Sequence, residues 1–215
     1  KKKTVQLKER VAQEVKSSDL AKTLTPKFPL GCRRILLSDD YYPALQRDNV
    51  TLETAPIERL DSNSLVTDDG VHHYVDCLVA ATGFHSHDFL PGVEVTGLGN
   101  ADLHKEWENK GGPEAYLGIT VSGFPNLFFL YGPNTNLGHS SIIFMIECQV
   151  HYILKVIGLL NIKGGKTIEI THNSMEEFNQ AIQKKLKRTA WAGSCNSWYK
   201  SARGKIINNW STHTV

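Results

Sequence analysis

Features that assign a function directly are scarce in this sequence of 215 residues. No Gly-x-Gly-x-x-Gly stretch occurs, so the sequence contains no recognisable dinucleotide phosphate loop. Lysine and arginine (24) nearly balance aspartate and glutamate (22), which gives a formal net charge of +2. This balance argues against nucleic-acid binding and against binding to an acidic membrane surface.

An uninterrupted hydrophobic run of membrane-spanning length is also missing. The most apolar stretch, residues 142–160, is broken by Glu147, Gln149, His151 and Lys155. A membrane-spanning helix needs about 20 predominantly apolar residues. We therefore predict a buried core helix here, and no stable membrane insertion.

Cysteine and metal-ligand patterns are equally sparse. The four cysteines are widely spaced along the chain: Cys32, Cys77, Cys148 and Cys195. They form neither a zinc motif nor a dense disulfide framework, so we predict reduced thiols in a cytoplasmic protein. His85, His87 and His104 lack the further ligands of a metal set, so we predict no metal site.

The patterns that are present indicate an α/β protein. Residues 4–22 suit a helix that ends before Thr25-Pro26, because the residue before a proline is driven out of the helical region. The Asp68-Asp69-Gly70 sequence lies between two alternating segments, 64–67 and 71–75, and predicts a β-hairpin. We also predict short strands at residues 50–54 and 168–171, while residues 85–118 look irregular.

Two continuous apolar runs, residues 77–81 and 126–131, are typical of strands buried on both faces of a parallel sheet. The first ends at Thr82-Gly83 and the second at Gly132-Pro133-Asn134. In open α/β sheets, ligands bind at the carboxyl ends of strands. A long helix follows from about Ser140, and its N-terminus would stabilise an anion. An ordinary connecting loop explains the same pattern equally well, so both interpretations stay open.

After residue 171 we predict a helix that begins at Ser174, with Glu177 three residues further on in a capping-box pattern. Its expected inner face consists of apolar residues at helical spacing: Met175, Phe178, Ile182 and Leu186.

Several short segments keep one order along residues 24–204. They are residues 29–34, 38–45, 47–50, 81–84, 107, 114–118, 123–128, 132–140 and 195–199. As an ordered series, these segments resemble Baeyer–Villiger flavin-dependent monooxygenases, and in particular the branch that includes hydroxyacetophenone monooxygenase.

The resemblance implies the C-terminal portions of two Rossmann-like nucleotide-binding domains of the three-layer, FAD/NAD(P)-binding type, with their N-terminal portions absent. Residues 1–31 would end a helical insertion, residues 32–78 would complete an NADP-binding domain, and residues 79–215 would complete an FAD-binding domain. The upstream part of the same polypeptide is then the expected partner of this chain.

The resemblance also implies an activity. In the family, NADPH reduces FAD, the reduced flavin reacts with O2, and one oxygen atom is inserted next to a ketone carbonyl to give an ester or lactone. Two alternatives stay open: an N- or S-oxygenating flavin monooxygenase, and an inactive flavoprotein remnant or binding module. The identity of the ketone, the oligomeric state and independent FAD binding are not indicated by the sequence.

Site residues follow from the same resemblance. Arg34 matches the family's catalytic arginine, whose guanidinium is always charged and carries a rigid set of donors. Arg33 occupies the position of a lysine that in the family usually lies near the NADP 2′-phosphate. Without the resemblance, the arginine pair is better explained as a surface charge cluster. The other expected cofactor-binding residues are Thr82, Gly83, Gly132, Pro133, Asn134, Leu137 and Trp198. Asn136 departs from the glycine that is common in the family, and we expect it to alter the loop by tolerating a left-handed backbone.

Overall fold

The computed structural model describes residues 2–86, 88–138 and 140–212. The chain forms two compact units. Unit 1 contains Lys1–Lys27 and Leu36–Phe84, and unit 2 contains Phe28–Ile35 and His85–Val215. Unit 1 therefore includes segments from both sides of the short stretch at residues 28–35, which itself belongs to unit 2.

Unit 1 begins with two helices, α1 (Lys2–Glu14) and α2 (Ser18–Leu24), where the sequence predicted one. The break occurs because Ser17 adopts an extended backbone and its side chain caps α2 by accepting from the N–H of Leu20. The predicted end at Thr25 is confirmed, since Thr25 is the extended C-cap of α2. A third helix, α3 (Tyr41–Ala44), precedes Gln46, whose side chain donates to the carbonyl of Glu14 at the end of α1 (3.0 Å).

The predicted hairpin is confirmed. Strands β1 (Ile57–Leu60), β2 (Ser64–Thr67) and β3 (His72–Tyr74) form an antiparallel sheet in the order β1-β2-β3. The turn between β2 and β3 is closed by the Thr67 hydroxyl, which donates to the Asp69 carboxylate (2.6 Å). Gly70 takes a positive φ of 83°, which a glycine adopts without steric cost.

The two other strands predicted in unit 1 are wrong for this chain. Residues 50–54 and 77–81 are extended coil, and Val79 is 81% exposed. The physical reason is the absence of partners: a strand needs neighbouring backbone groups for its own N–H and C=O groups. Among the described residues, no strand lies beside residues 77–81 to supply them.

Unit 2 contains α4 (Leu103–Asn109), α5 (Ile142–Ile162) and α6 (His172–Leu186). Helix α4 was missed, although Asp102 caps it by accepting from the N–H of Lys105 (3.1 Å). The long helix predicted from about Ser140 is confirmed, with Ser141 as its N-cap. The predicted start of α6 at Ser174 is two residues late, because the helix begins at His172 after the cap Thr171, which accepts from the N–H of Ser174.

Two apolar clusters form the core of unit 2. The larger one consists of Leu103, Trp107, Ala115, Val121, Phe124, Phe129 and Met175. The smaller one combines Ile182 and Leu186 of α6 with Ile206. The predicted inner face of α6 is confirmed, with Met175, Ile182 and Leu186 buried and Phe178 packed against the smaller cluster.

The strands predicted at residues 126–131 and 168–171 are also wrong, since both segments are coil. The N–H of Phe129 instead donates to the carbonyl of Ile119 (2.7 Å), and the N–H of Asn126 to that of Ile168 (3.0 Å). The sheet found in the described residues is antiparallel and belongs to unit 1. These residues alone therefore do not form the parallel Rossmann-type sheet that the resemblance implies.

Helix α5 is not the buried core helix that we predicted. Only Met145 and Gln149 are classed as buried along it, and 11% of its most apolar 18-residue window is covered. In the described part of the chain, α5 is long and apolar enough to cross a membrane by length and composition alone. The prediction failed because the elements of unit 2 cover one side of the helix and leave apolar side chains such as Leu154 and Ile162 exposed.

The prediction of reduced thiols is wrong for one pair of cysteines. Cys32 and Cys195 form a disulfide within unit 2, with their Cα atoms 6.3 Å apart. Their separation of 163 residues conceals this proximity in the sequence. Cys77 and Cys148 are free and exposed.

Candidate functional site

A largely buried loop of unit 2 comprises residues 131–137, here called the Gly132 loop. It lies beside residues 206–210, here called the C-terminal segment. The N–H of Asn134 donates to the carbonyl of Ile207 (2.7 Å), and the N–H of Asn136 to that of Asn208 (2.8 Å). In the other direction, the N–H of Trp210 donates to the carbonyl of Asn136 (2.8 Å). The loop is therefore held by backbone pairing with a segment that lies about 70 residues further along the chain.

Close backbone packing explains the glycine at position 132. A Cβ atom there would collide with the carbonyl oxygen of Gly118 and approach the Cβ of Phe129 to 2.9 Å. The left-handed backbone that we expected at Asn136 occurs instead at Tyr131 (φ 58°) and Asn134 (φ 59°). The expectation for Asn136 is therefore wrong, and its contribution is made by the side chain.

Amide side chains connect the loop to the C-terminal segment. The Tyr131 hydroxyl donates to Oδ1 of Asn136 (2.8 Å), and Nδ2 of Asn136 donates to Oδ1 of Asn209 (2.6 Å). Nδ2 of Asn134 donates to the carbonyls of Ile206 (2.9 Å) and Asn209 (3.1 Å). Within the described residues, the buried Oδ1 of Asn134 and Nδ2 of Asn209 have no hydrogen-bond partner.

Helix α5 fixes the other side of the loop through Gln149. This side chain is 2% exposed, and its Oε1 accepts from the N–H of Tyr131 (2.8 Å). Its Nε2 donates to the carbonyl of Leu117 (3.4 Å). Gln149 is one of the residues that interrupt the apolar run in the sequence, and it provides the hydrogen-bond acceptor for the Tyr131 N–H of the loop.

A cavity of about 360 Å³ opens next to the Gly132 loop. It is lined by His85, Ser86, Asp88, Phe89, Leu90, Tyr131, Gly132, Asn136, Trp198 and Asn208. The carbonyl of Trp198 accepts from Nδ2 of Asn208 (2.7 Å), which ties the tryptophan to the C-terminal segment. A larger and more open cavity of about 490 Å³ beside Trp107 contains none of the predicted site residues.

Both candidate arginines belong to unit 2. Nε of Arg33 donates to the carbonyl of Asn196 (3.0 Å), and its guanidinium carbon lies 4.6 Å from the centre of the Phe28 ring. Arg34 lies near the hydroxyl of Tyr199, close enough for its charge to act on that group. Tyr199 is 3% exposed, and its ring packs at a tilted angle against Trp198 with ring centres 4.5 Å apart.

The charge of Arg34 acts on Tyr131, which lines the cavity, and on Tyr199, which packs against Trp198. Burial raises the pKa of Tyr199, while the nearby guanidinium of Arg34 opposes that rise. Burial likewise raises the pKa of Tyr131, and the charge of Arg34 again opposes it. The arginine therefore lies within electrostatic range of both the Gly132 loop and the Trp198-Tyr199 pair.

The structure brings together only part of the predicted site. Gly132 and Trp198 line one cavity, and Arg34 acts on their neighbours Tyr131 and Tyr199. Pro133, Asn134 and Leu137 are buried and do not line this cavity. Thr82 and Gly83 are exposed coil in unit 1.

Sequence reasoning missed the role of the polar side chains that stabilise the site through hydrogen bonds and ring contacts. They belong to Tyr131, Asn136, Gln149, Tyr199 and Asn209. A signal existed for Gln149, because a polar residue within a long apolar run often has a buried partner. The asparagine contacts had no such signal, since they join positions 73 residues apart.

Metal-ligating side chains do not cluster in the described ranges, where no group of three or more His, Cys, Asp or Glu residues could hold an ion. His104 donates through Nε2 to the carbonyl of Val93 (2.9 Å). His87, and His139 in the motif before α5, lie outside the described residues.

No family model matches the chain. Individual proteins do match it over most of its length. The FAD-binding monooxygenase ktnD of Aspergillus niger is 43% identical over 202 residues, which is 92% of this chain and 33% of the relative. A Baeyer–Villiger monooxygenase of Pseudomonas aeruginosa is 40% identical over 190 residues, which is 88% of this chain and 36% of the relative.

A solved structure agrees with these matches. An oxidized steroid monooxygenase bound to NADP superposes with a TM-score of 0.81 at 31% identity, and the match covers 93% of this chain and 39% of that one. The chain belongs to the flavin-dependent monooxygenases of the Baeyer–Villiger type, in which it corresponds to the C-terminal part. It spans between a third and two fifths of the length of these relatives.

Proposed function

We propose that this chain is part of a longer FAD- and NADPH-dependent monooxygenase that inserts one oxygen atom of O2 next to a ketone carbonyl, which gives an ester or lactone. The observation that carries the proposal is the convergence of Arg34, Trp198 and the Gly132 loop within unit 2. Relatives that are 40% identical or more carry the names FAD-binding monooxygenase and Baeyer–Villiger monooxygenase, which supports the same reaction class.

In this proposal Arg34 is the catalytic residue. Oxygen insertion next to a carbonyl places negative charge on oxygen atoms during the reaction. A guanidinium stays protonated at every working pH and presents donors in a fixed plane, so it stabilises such charge without prior rearrangement. Arg34 is exposed in this chain, which leaves its guanidinium donors available to face a reacting oxygen.

The described residues fit the ring portions of the two cofactors better than their phosphates. Trp198 is 42% exposed at the cavity, and Gly132 permits a ring to approach the backbone closely. When bound, FAD supplies oxygen activation and NADPH supplies the hydride. Pro133, Asn134 and Leu137 support the flavin side from within the loop. Thr82 and Gly83, in unit 1, stay candidates for flavin binding on the resemblance alone. Arg33 stays the candidate for the NADP 2′-phosphate.

The phosphate-binding elements would come from another part of the polypeptide. This sequence has no Gly-x-Gly-x-x-Gly loop, and its relatives are more than twice as long as the matched part. We therefore assign residues 1–31 to the end of a helical insertion, residues 32–78 to an NADP-binding domain and residues 79–215 to an FAD-binding domain. The exposed apolar side of α5 would be covered by the upstream part of the same polypeptide.

Product analysis tests the reaction. The complete polypeptide encoded by the gene, incubated with FAD, NADPH, O2 and a panel of cyclic and aromatic ketones, is expected to give esters or lactones. A parallel incubation with a sulfide tests heteroatom oxygenation. Ester formation supports the proposal, whereas sulfoxide formation without ester from any ketone contradicts it.

Substitution of Arg34 tests its role in the same assay. Loss of one preorganised donor to a developing oxyanion lowers turnover by about a hundredfold, so Arg34→Ala should lose at least this much. Arg34→Lys keeps the charge but not the planar set of donors, and it should recover only part of the loss. The matched control is Arg188→Ala, at an exposed position after α6, which should leave turnover unchanged.

Flavin retention tests the assignment of the phosphate-binding elements. The 215-residue chain purified alone should carry little tightly bound FAD, as judged by its visible absorption spectrum. Stoichiometric FAD on this chain would contradict the assignment. If the complete polypeptide also retains no FAD, the flavin-dependent reaction itself is wrong and a binding module becomes the better description.

A further inference from the structure

Three consecutive residues, Cys32, Arg33 and Arg34, each contact the stretch 195–199. Cys32 forms the disulfide with Cys195, and Nε of Arg33 donates to the carbonyl of Asn196 (3.0 Å). The guanidinium of Arg34 lies near the Tyr199 hydroxyl, where its charge acts on that group. The candidate catalytic arginine is therefore carried on a short segment that lies along the stretch containing Trp198.

Side chains rather than backbone pairing hold this segment. Within the described residues, no backbone–backbone hydrogen bond joins residues 29–35 to residues 190–199, and the N–H of Cys32 donates locally to the carbonyl of Pro29 (3.1 Å). Arg33 and Arg34 are themselves exposed. The disulfide is consequently the strongest connection between the two stretches.

Around the disulfide, the segment at Cys32 packs closely against the segment at Cys195. Cys32 is completely buried and Cys195 is 9% exposed. A Cβ atom at Gly193 would lie 3.3 Å from Sγ of Cys32, and one at Gly31 would lie 3.3 Å from the Cβ of Ala190. Both glycines thus adjoin the contact, where a larger side chain would push the stretches apart.

We propose that the Cys32–Cys195 disulfide positions Arg34, and with it Arg33, against the Trp198-Tyr199 pair, so that reduction of this one bond displaces the arginine pair from the candidate site. Cys32 and Cys195 are positioning residues, since neither lines the cavity beside the Gly132 loop. The functional consequence rests on the proposed function, because Arg34 is catalytic only there.

The chemistry of the release is thiol–disulfide exchange with a dithiol such as dithiothreitol. One thiolate of the dithiol attacks Sγ of Cys195, the more accessible sulfur, and Cys32 leaves as a thiolate that takes up a proton. The second thiol of the dithiol then attacks the mixed disulfide and releases the Cys195 thiol. The protein disulfide gains two electrons and two protons, and the dithiol is oxidised to a cyclic disulfide.

The first experiment measures the bond and the arginine directly, without flavin. Alkylation followed by peptide mass spectrometry of the full chain should find Cys32 and Cys195 linked, and Cys77 and Cys148 alkylated. The same chain is then treated with an arginine-directed dicarbonyl reagent before and after reduction. Arg34 is exposed in the folded chain, but its guanidinium is held near Tyr199. Release of the segment should therefore raise its modification rate on the order of threefold or more, because the reaction follows the population of the released state.

Arg188 serves as the internal control for the reactivity of an exposed arginine outside both stretches. An unchanged far-UV circular dichroism spectrum of the reduced chain excludes global unfolding. A rise at Arg34 with Arg188 unchanged supports the proposal. An absent Cys32–Cys195 link, an unchanged Arg34 rate, or an equal rise at both arginines overturns it. Reoxidation of the reduced chain should restore the slow rate at Arg34, which removes any dependence on a variant that fails to fold.

The second experiment uses Cys32→Ser, Cys195→Ser and the double variant in the complete polypeptide. Since each substitution breaks the same bond, the double variant should label Arg34 no faster than either single variant. Cys77→Ser with Cys148→Ser is the matched control and should behave as the unmodified protein. Additive effects of Cys32→Ser and Cys195→Ser overturn the proposal.

Turnover separates this inference from the proposed function. Ketone oxidation that falls with the Cys32→Ser and Cys195→Ser variants supports both. If Arg34 labelling responds but no ketone is oxidised by the unmodified protein, the proposed function fails while the positioning of Arg34 stands. If ketone oxidation is normal and unaffected by loss of the disulfide, the proposed function stands and the positioning inference is overturned.

Discussion

Two glycine-containing segments looked alike in the sequence and differ in the structure. Residues 80–84 and 131–134 each follow an apolar run, and each was expected to lie at the end of a buried strand. In the first, Phe84 is 98% exposed, and Val79 directly before the segment is 81% exposed, whereas in the second Pro133 and Asn134 are almost completely buried. The second is ordered because the C-terminal segment and Gln149 supply its hydrogen-bond partners. A strand end becomes a defined site only where the chain itself provides partners for its backbone.

The largest expected effect comes from releasing the C-terminal segment. Lys205 precedes this segment and forms an ion pair with Glu114 (2.6 Å), with side chains 14% and 10% exposed. Its ammonium also donates to the carbonyl of Gly112 (3.3 Å). Removal of one partner of a mostly buried pair leaves an uncompensated charge and costs about 3–5 kcal/mol. Lys205→Met should therefore lower the free energy of unfolding by about this amount.

Denaturant unfolding followed by far-UV circular dichroism measures the change. The control is Lys166→Met, whose side chain is exposed. The double variant Lys205→Met with Glu114→Leu should recover part of the loss, because the buried carboxylate is removed as well. An effect of Lys205→Met no larger than that of Lys166→Met would mean that this ion pair does not anchor the segment.

A second prediction compares the two glycines directly. Gly132→Ala introduces a Cβ against the Gly118 carbonyl and Phe129, and overpacking of this kind costs about 1–3 kcal/mol. At Gly83 nothing lies within 4 Å of an added Cβ, and only its φ of 87° opposes a side chain. Because the segment around Gly83 is exposed coil, it can relax its backbone, so Gly83→Ala should cost less than Gly132→Ala.

The same unfolding measurement applies to both glycine variants. Equal losses of stability would contradict the distinction between a packed loop and an unpartnered one. A larger loss of stability for Gly83→Ala would indicate that residues 80–84 form stabilising contacts in solution that are absent from the structure.

A third prediction concerns the contact between α5 and the loop. Gln149→Leu keeps a similar volume but removes the acceptor of the part-buried Tyr131 N–H, and loss of this hydrogen bond should cost about 1 kcal/mol. Hydrogen exchange of the Tyr131 amide should accelerate in this variant. Ile143→Leu, at a position 65% exposed on the same helix, is the control and should leave that amide unchanged. An equally slow Tyr131 amide in Gln149→Leu would show that another group satisfies it.

Local patterns predicted the elements whose causes are local. The β2–β3 hairpin follows from Asp69 and Gly70, and the start of α5 and the inner face of α6 follow from periodicity and capping. The buried strands failed for a different reason. Their apolar composition is compatible with a sheet, but a sheet also needs neighbours, and the described residues contain none beside 77–81 or 126–131.

The candidate site divides in the same way. The resemblance indicated Arg34, Gly132 and Trp198, and unit 2 contains all of them. The groups that hold them depend on contacts between distant positions, such as Asn136 with Asn209 and Cys32 with Cys195. Such contacts leave no periodic trace in a single sequence. The expectation of reduced thiols failed for this reason, because it was drawn from the spacing of cysteines along the chain alone.

The smallest expected effect is a titration that locates Arg34 next to the Gly132 loop. Burial raises the pKa of Tyr131 and Tyr199 above the usual value of about 10, and the charge of Arg34 limits both shifts. A raised pKa in the folded state contributes stability that is fully present below the unfolded value and is lost as pH rises through the folded value. Spectrophotometric titration should therefore find these tyrosines ionising late, and Arg34→Gln should move both to still higher pH.

Tyr131→Phe and Tyr199→Phe identify the two titrations, because each should remove one late-ionising group from the absorbance curve. Tyr74→Phe is the matched control, since Tyr74 is 74% exposed. If Arg34→Gln moves the Tyr199 titration but leaves that of Tyr131 in place, Arg34 belongs with residues 195–199 and not with the loop. The convergence on which the proposed function depends would then be lost, and the Gly132 loop would be a well-packed turn without the arginine.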